Sequence, residues 1–167
     1  MFCTDEVIIY GGYSICKIAE ITQKELDGKM VDYYVLKPIF NPESTVFVPV
    51  NNEILKKKMH TVICKEAAYD LIKSMPQVEQ IWIDNENKRK ELYRNILAKR
   101  ERTEVIGLIK ALHIHQQQQA EKKRRLHIAD ERFLKEAEKT LCEELAFVLE
   151  MAPEDVPNLI RTQVQAV

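Results

Sequence analysis

The strongest constraint on this chain is a change of sequence rules near residue 65. Before it, short runs dense in Val, Ile, Tyr and Phe are separated by turn residues. Val7–Tyr10, Tyr13–Ile21, Asp32–Pro38 and Thr45–Val50 each have strand length and strand composition. After Lys65 the apolar residues recur at three and four positions, the spacing of one face of a helix. A chain of 167 residues has room for one domain or two small ones, and the break predicts two, 1–64 and 65–167. A β module of that size is near the lower limit for a core of its own, so it is expected to pack partly on the first helix of the second part.

Turn chemistry sharpens the first part. Gly11-Gly12 ends the first run, and Asp27-Gly28 marks a hairpin tip inside Lys24–Lys29. Pro38 and Pro49 require strand-end or edge positions, because proline has no amide hydrogen for a ladder. A last short strand is expected at Thr61–Cys64, after a helical turn over Ile54–Met59. The fold class expected is α+β: a small SH3/Tudor-like β-barrel followed by a compact all-helical domain.

In the second part, Ala67, Leu71, Ile72 and Met75 fall on one helix face, and Pro76 stops it. Val78–Ala98 reads as helical with an interruption at Asp84-Asn85-Glu86-Asn87, where Asp84 or Asn85 would cap the next helix. Thr103 is the expected cap of a helix running toward Arg125. Phe133, Leu134, Ala137, Leu141, Leu145 and Val148 mark a long amphipathic helix, and Pro153 opens a short final one.

Charge is uneven. The net charge is −1, yet residues 86–125 carry twelve Lys or Arg against five Glu, and residues 126–167 carry four against nine acids. A basic middle segment in a near-neutral chain is a local binding surface or simply a wet helix face. The chain begins without a basic n-region or a long apolar stretch, and no run of eighteen apolar residues occurs, so a cytosolic protein without a membrane span is expected. The four cysteines are scattered, with no Cys-x-x-Cys, which points to reduced thiols.

Signals for catalysis are absent from the pattern. Gly11-Gly12 has no following Lys-Ser/Thr, so it is not a phosphate loop. His113 and His115 would point about 200° apart on a helix and cannot share a metal. No enzyme, cofactor or small-molecule substrate is expected. What remains is Trp82, the only tryptophan, followed by Lys88, Arg89, Lys90 and Arg94. Trp82 either fills the seam between the two halves or serves as an exposed wedge beside cations, the arrangement with which proteins enter a minor groove. The open edge of a small β module is a natural place for a partner strand to add.

Val7–Ile18, with Tyr33–Pro38 and Thr45–Val50, resembles the opening strands of the CarD/CdnL family of bacterial transcription regulators. The same β module occurs in transcription-repair coupling factor. Trp82, the basic stretch after it, Leu108–Leu112 and the Leu141–Leu145 helix follow in the order of the stand-alone regulators. The resemblance implies a Tudor-like domain bound to the RNA polymerase β subunit near Lys24, Thr45, Val46 and Phe47. It implies a helical domain on promoter DNA at the upstream edge of the bubble, with Trp82 as wedge, cations at Lys88, Arg89, Lys90 and Arg132, and a stabilised open complex. Phe47 stands where well-characterised members carry a basic residue, and Ile83–Glu86 separate the cations from the tryptophan. The alternative is a protein–protein adaptor that never touches DNA, which the near-neutral charge favours.

Overall fold

The computed structural model describes residues 1–11 and 15–165, so Gly12, Tyr13 and Ser14 of the expected turn and second strand lie outside the described residues. The chain divides into two units, Met1–Cys64 and Lys65–Val167.

The first unit is an antiparallel sheet of β1 (Val7–Tyr10), β2 (Ile15–Leu26), β3 (Lys29–Pro38), β4 (Val46–Pro49) and β5 (Met59–Thr61), with a single turn of helix, α1 (Glu53–Lys56), before β5. The spatial order is β4-β3-β2-β1-β5. The expected barrel is corrected on one point: β4 and β5 end the row, and the ladder does not close on itself. Alternation explains the core. Ile8, Tyr10, Cys16, Ile18, Tyr34, Leu36, Val48 and Val50 are buried together, each two residues from the next along its own strand. Cross-strand pairing keeps them on one face, with Ile8 opposite Cys16 and Tyr34 opposite Val48. The β2–β3 tip holds Asp27 at φ 51° and Gly28 at φ 74°, the two positive values a tight two-residue hairpin turn needs.

The last strand lies two residues earlier than expected, at Met59–Thr61, pairing with β1 through Ile9 and His60. Three residues carry too little alternation to fix their own boundary.

The second unit is α2 (Lys65–Ser74), a 3-10 turn at Met75–Gln77, α3 (Glu86–Lys99), α4 (Arg102–Glu121), α5 (Ile128–Val148), a 3-10 turn at Pro153–Asp155, and α6 (Val156–Gln165). Residues 78–85 are not helical; Asn85 caps α3, its side chain accepting from the Lys88 amide at 3.0 Å. The cap expected at Thr103 is instead Glu101, whose longer carboxylate reaches the Glu104 amide at 3.0 Å. α4 and α5 form an antiparallel pair. Arg102 at the start of one holds Glu144 near the end of the other at 2.6 Å, and His113 meets Glu138 at 2.6 Å. Tyr93, Ile96 and Leu97 of α3, Val105, Leu108 and Leu112 of α4, and Leu134 and Ala137 of α5 make the core between them.

Candidate functional site

Two places gather the residues singled out by sequence. The first is the β4 edge of the sheet. β4 pairs with β3 on one side and ends the sheet on the other. The Val50 amide donates to the Asp32 carbonyl at 2.9 Å, and the register pairs Tyr34 with Val48 and Leu36 with Val46. Ladder bonds fall on every second residue, so Val46 and Val48 bond inward to β3. Phe47 and Pro49 are the alternate positions, and the amide and carbonyl of Phe47 point outward along the open edge. Pro49 sits where the missing amide hydrogen costs the β3 ladder nothing.

The side chains of this edge converge. Lys24, from the β2 arm of the hairpin, lies with its ammonium nitrogen 3.3 Å from the centre of the Phe47 ring. Tyr33 of β3 meets the same ring edge-on at 6.4 Å. Phe47 is 42% exposed, large for an aromatic residue. Thr45 accepts a hydrogen bond from the Lys37 ammonium, and Val46 packs partly buried against the sheet core. Three of the four expected contact residues, Lys24, Thr45 and Phe47, are exposed at this edge. Phe47 has no charge of its own to offer a partner, and the sheet lays a cation over it.

The second place is the irregular segment 78–85, which carries Trp82. Its order comes from side chains far away in sequence. The Lys110 ammonium donates to the carbonyls of Met75, Pro76 and Val78, at 3.1, 3.2 and 2.6 Å. The Tyr93 hydroxyl donates to the Ile81 carbonyl at 2.8 Å, and the Ile81 amide donates to the Gly107 carbonyl at 3.1 Å. Gly107 permits this approach, because a Cβ there would stand 2.8 Å from the Glu79 carbonyl oxygen and 2.9 Å from the Ile81 side chain. Burial, aided by the Asp130 charge, pushes the Tyr93 phenol up to about 12, so it remains a donor at any physiological pH.

Trp82 is partly buried and packs on the helical core. Its indole N–H donates to Asp84 at 2.8 Å, its ring stacks on His115 of α4 at 4.2 Å, and the Arg89 guanidinium carbon lies 4.3 Å from its centre. Desolvation holds the His115 imidazole below its ordinary value, the Asp130 charge opposing and Arg89 and His127 adding to the effect. The two histidines that sequence separated by about 200° do have separate partners, Trp82 for His115 and Glu138 for His113.

The expected cations separate into three kinds. Lys88 and Arg132 are exposed. Lys90 is bound to Glu86 at 2.5 Å, an i,i+4 pair that holds the Glu86 carboxyl below its usual range. Arg89 is corrected: it is 3% exposed and paired with the fully buried Asp130, so its guanidinium cannot reach a phosphate on the surface.

Sequence reasoning counts but does not assign the four cations of the α4–α5 turn. Lys122, Lys123, Arg124 and Arg125 are consecutive and exposed. Lys123 is left-handed at φ 55°, and the Lys123 and Arg124 amides bond back to Ala120 and Gln119 at 2.9 and 2.8 Å, a tight helix end. The turn begins about 10 Å along the α4 axis from His115, and so from the Trp82 stack. Arg89–Asp130 joins the first turns of α3 and α5, which brings Lys88 and Arg132 to this same end of the helical unit. Four like charges in one turn are the signal that could have found this patch.

Among the described residues no cluster of three His, Cys, Asp or Glu could hold a metal ion. Cys142 lines a cavity of about 420 Å³ with Met75, Ile106, Ile109, Leu141 and Ile160, and burial raises its thiol to about 11, which keeps it protonated and unreactive. Among the described residues no helix is long and apolar enough to cross a membrane.

Residues 2–63 match the family model of the CarD-like/TRCF RID domain. The first unit is thus similar to the CarD-like/TRCF RID domain. The match spans the whole strand set, including the β4 edge with Phe47 and the hairpin with Lys24, and stops before α2. An RID domain is an RNA polymerase-interacting module, a protein-binding and not a catalytic one. No curated protein matches the chain.

Proposed function

We propose that the chain is a non-enzymatic transcription regulator that binds the RNA polymerase β subunit through the β4 edge and stabilises the open promoter complex through its helical unit. The observation that carries the reading is the RID domain, which names the class of partner. The edge supplies a means: one outward amide and carbonyl at Phe47 for strand addition, flanked by Lys24, Tyr33 and Thr45 to choose the partner.

The helical unit's part rests on the Trp82 segment and its neighbours. In this reading Trp82 meets a base step at the upstream edge of the bubble in the minor groove. Lys88, Arg132 and the Lys122–Arg125 turn hold phosphates, while Lys90 releases Glu86 to join them. Arg89 stays inside. The working surface is thus a rigid aromatic on a braced segment with cations around it, suited to shape and backbone contact more than to base reading.

The test is a pair of measurements on the full chain. Co-purification with the β subunit is expected for the wild type and for Trp82→Ala alike. Promoter open-complex lifetime is expected to lengthen with the wild type and not with Trp82→Ala. Absence of polymerase binding at micromolar concentration would sink the reading. Crosslinking of the 86–125 segment to promoter DNA within the polymerase complex separates it from an adaptor that binds protein only.

A further inference from the structure

We infer that Arg89 and Asp130 are a positioning pair for Trp82, so that the pose of the aromatic on segment 78–85 is set by the first turn of α5. The inference rests on the Trp82 reading above only for its consequence on promoter complexes; its structural content is independent.

The geometry is specific. The Arg89 Nε donates to Asp130 Oδ1 at 3.1 Å and a terminal nitrogen donates to Oδ2 at 2.9 Å, the two parallel bonds of a bidentate pair. The other terminal nitrogen donates to the carbonyls of Ile83 at 2.8 Å and Asp84 at 3.3 Å. The same guanidinium lies 4.3 Å from the centre of the Trp82 ring. One planar group therefore touches three consecutive residues, 82, 83 and 84, and is itself fixed by a carboxylate 41 residues further along the chain. Asp84 completes the arrangement by accepting from the indole N–H.

Net stability is a poor reason for such a pair. Desolvation of two charges consumes most of their attraction, and apolar residues of similar volume hold a core as well. What apolar residues lack is direction. Arginine offers five N–H groups in a rigid fork, and here the fork points at a carboxylate on one side and at the backbone behind Trp82 on the other. Lysine at 89 would keep the charge and lose the fork.

Trp82 is the only tryptophan, so its emission reports the pose without interference. Asp130→Asn and Arg89→Lys in the full chain are expected to shift that emission to the red and raise its quenching by acrylamide, with helical circular dichroism retained. Asp130→Glu, which keeps the carboxylate, is expected to recover part of the shift. Glu144→Gln is the control: it breaks the Arg102 ion pair elsewhere in the helical unit and is expected to lower Tm with the Trp82 signal unchanged. Unaltered emission and quenching in both Asp130→Asn and Arg89→Lys overturns the inference. So does a loss of fold by both variants at 25 °C, which would make the pair plain core electrostatics.

A second readout uses promoter complexes. Asp130→Asn is expected to shorten open-complex lifetime toward the Trp82→Ala value and to add nothing in the Trp82→Ala background. A further loss in that background overturns positioning. If Trp82→Ala itself leaves the lifetime unchanged, the wedge reading fails while the fluorescence result still decides the pair.

Discussion

The Lys24 ammonium sits 3.3 Å above the Phe47 ring, joining the β2 hairpin arm to the edge strand β4. Neither residue is held there by a hydrogen bond to the other; the attraction is that of a cation for an aromatic face. At an exposed site this contributes about 0.5–1 kcal/mol. Lys24→Ala and Phe47→Ala should therefore change folding stability little. Each should weaken polymerase β binding, and a double-mutant cycle on Kd should show coupling between them. Independent, additive losses would show that the two contact the partner separately.

Strand addition makes a contrasting demand on neighbouring backbone positions. Phe47→Pro removes an outward amide and leaves the β3 ladder intact. Val46→Pro removes an inward amide and breaks it. The first variant is expected to fold and lose polymerase binding. The second should lose about 1–3 kcal/mol of stability in the first unit, the cost of leaving a ladder carbonyl without its donor. Full binding by Phe47→Pro would place the contact in side chains alone.

The basic turn should act through phosphates. Replacing Lys122, Lys123, Arg124 and Arg125 by Gln is expected to weaken DNA engagement within the polymerase complex uniformly across promoters. The slope of log affinity against log salt should fall by up to about 0.9 for each phosphate left without its cation. Lys90→Gln should have less effect than any one of these four, because part of its charge is already engaged by Glu86. An unchanged salt slope would exclude the turn from the interface.

Gly107→Ala tests the bracing of the Trp82 segment from the α4 side. The added Cβ meets the Glu79 carbonyl oxygen at 2.8 Å, and backbone cannot rotate away as a side chain can. Helix propensity alone would favour alanine by nearly 1 kcal/mol. The clash reverses that sign, and a net destabilisation of about 1–3 kcal/mol is expected from denaturant midpoints, with the Trp82 emission displaced. A stabilised variant would mean the segment gives way freely.

His115 supplies a pH dependence. Its folded pKa lies below the ordinary 6.5, chiefly because burial removes water from the ring. As pH falls below about 6.5 the unfolded chain takes up this proton before the folded one does, so this site's share of stability is present above that pH. It is lost as pH falls through the folded value. Protonation places a cation on the indole, so Trp82 emission should titrate with a midpoint under 6.5, and His115→Gln should remove that transition. A midpoint above the ordinary histidine value would contradict the stacked, desolvated ring.

The strands, the hairpin tip and the long α5 helix are legible in the sequence because each is encoded locally. Short runs dense in Val, Ile, Tyr and Phe mark β1, β3 and β4, Asp27-Gly28 carries its own turn chemistry, and Leu134, Ala137, Leu141 and Leu145 keep helical spacing. The outer arm of β2, from Lys24 to Leu26, reads as a polar tip, since a strand wet on both faces leaves no alternating trace. The site is legible as composition and not as geometry. Lys24 and Phe47 can be named together, but their contact depends on the register of three strands. Arg89 looks like the others in Lys88-Arg89-Lys90, and only Asp130, with no local pattern linking the two, separates it from them. Segment 78–85 resembles a poor helix; its real conformation is dictated by Lys110, Tyr93 and Gly107.

The shortness of β4 has a consequence for which assemblies the edge allows. Within its four residues, Val46–Pro49, the only outward-facing amide is that of Phe47, since Pro49 has none. A second copy of this edge, approaching as a sheet would, finds one donor where it needs a row, and the proline ends the row. Runaway self-association through this strand is thereby starved of hydrogen bonds. In the proposed docking mode a partner strand pairs with that single amide, which sets its direction, and the side chains around it supply the rest of the affinity and the choice of partner.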